Sequence, residues 1–132
     1  VPENIFVGCG SQEAMFSTLL TTLDPKEQII IPSLGYLGYL PAVELVSAVP
    51  VFLKLDEKEN FEINPNRLKK LINKEKTKAI IVNSPSNPTG NVLSKKVLEE
   101  MADIAIDNNL YIFSDEAYEK INYGKNIFRW LP

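Results

Sequence analysis

Three short segments of the chain carry residue types from which a binding site can be built. The first is Val7-Gly8-Cys9-Gly10-Ser11-Gln12-Glu13-Ala14, a glycine-bearing turn that opens a helical pattern. Glycine lets the backbone bend sharply, and the free N–H groups of a first helical turn, with the helix dipole behind them, attract an anion. A phosphate is the natural guest. The second segment, Asn83-Ser84-Pro85-Ser86-Asn87-Pro88-Thr89-Gly90, contains two Asn/Ser-Pro steps and ends in glycine, so it reads as a rigid, strongly turned loop. An asparagine amide fixed ahead of a proline, as Asn87 is, can donate a directed hydrogen bond. The third, Ser114-Asp115-Glu116-Ala117-Tyr118, sets a carboxylate directly after an apolar run. Burying that carboxylate is costly unless a cation or hydrogen-bond donors compensate it. Asp115 needs a partner.

Each segment alone also has a plainer reading, as a tight turn, an ordinary loop or a capping aspartate. Gly8-x-Gly10-x-x-x-Ala14 also loosely matches a dinucleotide fingerprint. The following strand, however, ends at Ile31-Pro32-Ser33, with no acidic residue to hold a ribose hydroxyl. Nicotinamide binding is disfavoured on that ground.

The elements that must position these segments are legible in the apolar pattern. Short β-branched runs at 28–31, 49–53, 79–82 and 110–113 are nearly all apolar, which predicts strands buried on both faces. A further strand is expected to end at Val7, ahead of the first glycine turn. Helical stretches fall at 12–22, 41–47, 66–73 and 94–108; in the last, Ser94 caps the start and Val97, Met101, Ile104 and Ala105 share one face. The charged stretches 56–60 and 74–78 read as solvated loops. From the first of the four runs the order is βαβαβαβ, which predicts an α/β fold with a mostly parallel sheet and helices on both faces. In that architecture ligands lie beyond the carboxyl ends of the strands, the edge where all three segments are expected.

Length and composition bound the answer. The 132 residues make one domain's worth of chain, and 45% hydrophobic content is ordinary for a packed core. Fourteen basic and 17 acidic residues, net −3, form no basic stripe, so a nucleic acid partner is unsupported. With a single cysteine, Cys9, no leader pattern and no long apolar run, a soluble cytoplasmic protein without a membrane partner is expected. No metal site is indicated. Val1-Pro2-Glu3-Asn4 runs straight into Ile5-Phe6-Val7, and the other end stops at Phe128-Arg129-Trp130-Leu131-Pro132. Both abrupt ends lead us to expect a piece of something larger.

Taken together and in order, Asn87-Pro88-Thr89-Gly90 and Ser114-Asp115-Glu116-Ala117-Tyr118 at this separation are far more specific than either motif alone. The chain resembles the aspartate aminotransferase-like family of fold type I pyridoxal-phosphate enzymes, and essentially all of it fits that family's large domain. The resemblance implies roles residue by residue. Ser11 and Gln12 fall where relatives bind the cofactor phosphate, and Tyr36 where they stack an aromatic ring on the cofactor's pyridine. Tyr39 is the rival for stacking, although relatives more often use that second tyrosine for packing. Asn87 and Tyr118 match the residues that hydrogen-bond the cofactor's phenolic oxygen. Asp115 matches the carboxylate paired with the pyridine nitrogen, whose proton it keeps in place.

The same resemblance implies what residues 1–132 lack, and so a single partial domain without the small domain. The family's Schiff-base lysine follows the Asp/Tyr motif in a Ser-x-x-Lys setting that is not found here. Ser94-Lys95-Lys96 precedes Asp115 and belongs to a helix. The substrate-binding arginine sits in a Gly-x-Arg-x-Gly setting that neither Arg67 nor Arg129 has. The chain alone is therefore expected to be inactive. The parent enzyme is expected to act as a homodimer, moving an amino group from an amino acid to a 2-oxo acid. Carbon–sulfur lyases and aminocyclopropane-type synthases share the cradle and stay open as alternatives, as does a non-catalytic truncated product.

Overall fold

A computed structural model describes residues 2–121 and 123. Runs of β-branched side chains, Ile29-Ile30-Ile31 and Ile80-Ile81-Val82, stiffen the backbone and suit a pleated surface. They form the centres of β1 (Gln28–Ser33) and β3 (Thr77–Asn83), the inner pair of a four-stranded sheet completed by β2 (Val49–Lys54) and β4 (Tyr111–Asp115). The order is β2-β1-β3-β4 and every pairing is parallel. The inner strands are buried on both faces as expected, but β2 buries only Leu53 and β4 no residue. These two flank the sheet, each with a single neighbouring strand among the described residues, so their apolar composition does not translate into two covered faces.

The crossovers explain where the helices lie. From β1 the chain moves outward to β2, then passes back over β1 to β3 and on to β4. With right-handed connections, opposite directions of travel place the helices on opposite faces. Accordingly α1 (Ser11–Thr22) and α2 (Tyr39–Leu45) share one layer, where Leu19, Tyr39, Ala42 and Val43 pack on Ile29, Ile31, Ala79 and Ile81. On the other face α3 (Pro65–Leu71) and α4 (Lys95–Asn108) pack Leu68, Leu98, Met101 and Ile104 on Ile30, Leu53, Ile80 and Val82. Odd and even strand positions sort cleanly between the layers, the alternation a pleated strand imposes. The fold is α/β, a parallel sheet with helices on both faces.

Local chemistry sets the helix limits. Ser94 caps α4, its Oγ accepting the Val97 N–H at 3.3 Å. Helix α3 starts at Pro65, because the Asn64 side chain accepts the Asn66 and Arg67 N–H groups and proline at the first position loses no bond. Helix α2 starts at Tyr39, ahead of Pro41, since a first-turn N–H has no intrahelical partner to lose. Beyond its end Ser47 turns left-handed, with φ 59°.

Three other expectations are corrected. Residues 5–7 form no strand; they follow a short 3₁₀ turn, Pro2–Asn4, and their side chains are exposed, because apolar composition makes a strand only where a neighbour takes its hydrogen bonds. The stretch 74–78 is not all loop: Thr77 opens β3 and is buried, with its hydroxyl 3.2 Å from Gln28 Oε1. Within 56–60, Glu57–Glu59 winds into a 3₁₀ turn, and Glu59 and Asp56 meet Arg67 at 2.9 and 3.9 Å. Arg129 and the rest of 128–132 lie outside the described residues. Among the described residues no helix is long and apolar enough to cross a membrane.

Candidate functional site

The direction of travel reverses between β1 and β3, and such a switch point opens a crevice at the carboxyl ends of the strands. The start of α1 and the segments after β1, β3 and β4 supply its walls. Gly10 precedes α1 with φ 95°, a conformation glycine adopts without strain. The first intrahelical bond runs from the Ala14 N–H to Gly10 O, so the Ser11, Gln12 and Glu13 amides stand ahead of the ladder. The Glu13 carboxylate folds back to accept the Cys9 N–H and holds the turn. Ser11 and Asp115 line one hollow of about 320 Å³ between α1 and the end of β4.

Gln12 takes a different course. Its Nε2 donates to Gly38 O at 3.3 Å, tying α1 to the segment between β1 and α2. Gly38 is needed there for space: a Cβ at this position would run into the Tyr36 ring and the Gln12 amide. Its backbone is helical, so the collision alone matters. Gly38→Ala is expected to displace the Tyr36 ring at an overpacking cost of roughly 1–3 kcal/mol. Near-ultraviolet circular dichroism and a thermal melt check this: a changed aromatic spectrum with a lowered melting temperature is expected, and neither changes if the space is not needed.

Tyr36 is half-exposed and meets Tyr39 edge-on, with ring centroids 5.5 Å apart and planes at 84°. Tyr39 is buried, and its hydroxyl donates to Asp115 Oδ2 at 2.6 Å. The other carboxylate oxygen, Oδ1, accepts the Ala117 N–H at 3.1 Å. Burial, then the hydrogen bond to Asp115 and its negative charge, push the Tyr39 phenol far above its usual range. Tyr39 therefore stays protonated and remains the donor. An unfolded phenol releases its proton around the ordinary value of 10.0, while the folded one retains it, so the stability this contact confers is complete below pH 10 and declines above it. The sequence asks for a cation or hydrogen-bond donors as compensation at Asp115, with the resemblance supplying a ligand cation, and leaves Tyr39 as a rival for stacking or a packing residue. In the fold, Tyr39 packs in the core and supplies part of that compensation as well.

The loop after β3 is bolted to the end of β4. Asn83 pairs in register with Asp115; its Nδ2 donates to Asp115 O at 3.0 Å, and its Oδ1 accepts the Asn87 N–H at 2.7 Å. Ser84 N–H also donates to Asp115 O, at 3.2 Å, and Ser84 Oγ accepts the Leu93 N–H. Both Asn83 and Ser84 are buried. The Ser84–Pro85 and Asn87–Pro88 peptide bonds are cis. Asn87 Nδ2 lies 3.5 Å from the Tyr118 hydroxyl, a long contact, and the two residues line a second hollow of about 410 Å³. Asn83 is the residue that ties this loop to β4, and the motif alone did not mark it. Its signal was an asparagine closing an apolar strand, where a buried amide must find partners.

The structure thus joins Ser11 with Asp115, Asn87 with Tyr118, and Tyr36 with Asp115 through Tyr39, while the Gln12 side chain turns to Gly38. Both hollows are of small-ligand size. Across one edge stand an anion-attracting helix start, a held carboxylate, two partly exposed phenols and an amide. That set suits a ligand with an anionic group, an aromatic ring, a basic nitrogen and a hydrogen-bonding oxygen. Residues 1–130 match the family model described as aminotransferase class I and II. The chain belongs to the class I and II aminotransferase family.

Its likeness to other members extends through sequence and fold. The aspartate aminotransferase of Pyrococcus abyssi is 43% identical over 121 residues, which cover 92% of this chain and 31% of that protein. The structure of the Thermus thermophilus aspartate aminotransferase with maleate superposes with a TM-score of 0.89 at 36% identity, over 91% of this chain and 31% of that one. The aromatic aminotransferase of Pyrococcus horikoshii superposes at 0.87 with 39% identity, over 91% and 32%. The chain spans 31% of the length of the first curated relatives it matches.

Proposed function

We propose that this chain is the cofactor-grasping part of a pyridoxal-phosphate-dependent aminotransferase, which moves an amino group from an amino acid to a 2-oxo acid. The observation that carries this is Asp115: a carboxylate held from both oxygens at the end of β4, opening onto the hollow at which α1 begins. Bound pyridoxal phosphate supplies an electron sink for the bonds at an amino acid's α-carbon. The chain's own residues do the rest of the holding. Ser11 and the first-turn amides at 11 and 12 bind the phosphate, where the helix dipole favours negative charge. The Gln12 side chain fixes the segment that carries Tyr36, and the Tyr36 ring lies against the cofactor ring. Asn87 and Tyr118 hydrogen-bond the phenolic oxygen. Asp115 keeps a proton on the ring nitrogen.

On the same reading residues 1–132 form part of the large, cofactor-binding domain, and the reacting lysine and substrate arginine come from other sequence. On this reading the enzyme works as a homodimer in the cytoplasm. The relatives' names, aspartate in two and aromatic in the third, leave the donor at the level of an amino acid. The test is an assay of the full-length protein loaded with pyridoxal phosphate, with 2-oxoglutarate as acceptor and aspartate, alanine or phenylalanine as donor. Formation of glutamate from at least one donor is expected. Cofactor binding without transfer from any of them would overturn the aminotransferase assignment while leaving the cradle.

A further inference from the structure

Asp115 is held with unusual completeness for a residue at a strand end. Its backbone carbonyl accepts from Asn83 Nδ2 and the Ser84 N–H, and its Oδ1 accepts the Ala117 N–H. All three bonds come from the end of β3 and the loops that follow β3 and β4. The bond to Oδ2 is different in origin, arriving from Tyr39, the first residue of α2, 76 positions earlier in the chain. The Tyr39 ring is locked in the core between α2 and the sheet, with 3% of its surface exposed. The ring that meets it edge-on is Tyr36. One rigid side chain therefore touches both the carboxylate at the end of β4 and the half-exposed aromatic ring beyond β1.

We propose that Tyr39 is a positioning residue that couples the two, holding the Asp115 carboxylate in one rotamer and the Tyr36 ring at a fixed angle to it. The proposal rests on the cofactor cradle described above and adds to it a residue that touches none of the cofactor. Each carboxylate oxygen has two acceptor sites, and one on each is taken by the chain, so a site remains for a ligand N–H. Without the phenol the Asp115 side chain is free to turn about its own bonds, and a ligand must restrict that motion when it binds. The two functions of Tyr39 separate by substitution. Tyr39→Phe keeps the ring against Tyr36 and removes only the donor, whereas Tyr39→Leu removes both.

The experiment uses the full-length protein and pyridoxal phosphate labelled with ¹⁵N in the ring, measuring the dissociation constant and the ring-nitrogen resonance. Tyr39→Phe is expected to bind the cofactor roughly tenfold more weakly, the usual scale for losing a hydrogen bond to a charged group, and to shift the nitrogen resonance toward the unprotonated form. Adding Tyr39→Phe to Asp115→Ala is expected to weaken binding no further, since the phenol acts through the carboxylate. Unchanged affinity and resonance in a folded Tyr39→Phe protein overturn the proposal and leave Tyr39 a packing residue. Full additivity with Asp115→Ala overturns it too. If Asp115→Asn alone binds as tightly as the parent protein, the cradle itself has been assigned wrongly. Should Tyr39→Phe not fold, the Tyr39 hydroxyl proton in the parent protein carries the test: a slowly exchanging resonance must persist with cofactor bound, and its loss on binding contradicts the proposal.

Discussion

Asp115→Ala is expected to lower the rate of amino transfer by a hundredfold or more. In the proposed cradle Asp115, held from both oxygens at the end of β4, keeps the proton on the ring nitrogen, and removing one preorganised electrostatic partner of a reacting system typically costs about 10²–10³ in rate. The alanine variant also strips the buried Tyr39 phenol of its acceptor, at roughly 1–3 kcal/mol of stability. Asp115→Asn separates the two effects, because its amide oxygen can still accept from Tyr39 while the charge is gone. Steady-state rates and chemical denaturation of both variants give the check. Alanine should lose activity and stability, and asparagine chiefly activity. A rate within fivefold of the parent for either would remove Asp115 from the ring nitrogen.

The second large effect concerns how α1 is held. Leu19 is the one fully buried side chain of that helix, packed in the layer with Ile29, Ala79 and Ile81. Met15 and Phe16 lie only partly buried beside it. Leu19→Ala leaves a cavity that a β-sheet below and a helix above cannot close, and the expected loss is about 2–5 kcal/mol. Leu20, its exposed neighbour, serves as the control; alanine there should stay within about 0.5 kcal/mol. Urea unfolding measures both. Because Ser11 and the first-turn amides sit at the head of the same helix, loosening Leu19 should also weaken phosphate binding, whereas equal effects at 19 and 20 would mean α1 does not rely on this anchor.

Much of the architecture is legible in the residue pattern. Isoleucine and valine runs at 28–31 and 79–82 mark strands whose alternate residues face two different helical layers, and the βα alternation implies parallel pairing. Ser94, with the spacing of Met101 and Ile104, marks α4. What the pattern does not disclose is which strands lie inside, since neighbour number is a property of topology: β2 and β4 are as apolar as β1 in composition yet mostly uncovered. Residues 5–7 failed as a strand for the same reason. At the site, residue types and spacing mark three segments at strand ends that share one edge, and the family resemblance assigns roles within them to Ser11, Asn87, Asp115 and Tyr118. The bonds that aim them were hidden. Gln12 reaches across 26 positions to Gly38 and Tyr39 across 76 to Asp115, and only the crossover geometry brings such pairs together.

The central claim is that these residues hold pyridoxal phosphate in one orientation, and a crystal structure of the full-length protein with that cofactor tests it most directly. The phosphate should lie on the amides that open α1, next to Ser11. The ring should lie against Tyr36, its nitrogen within hydrogen-bond distance of Asp115 and its phenolic oxygen beside Asn87 and Tyr118. A cofactor bound elsewhere, or one whose ring nitrogen points away from Asp115, would contradict the account.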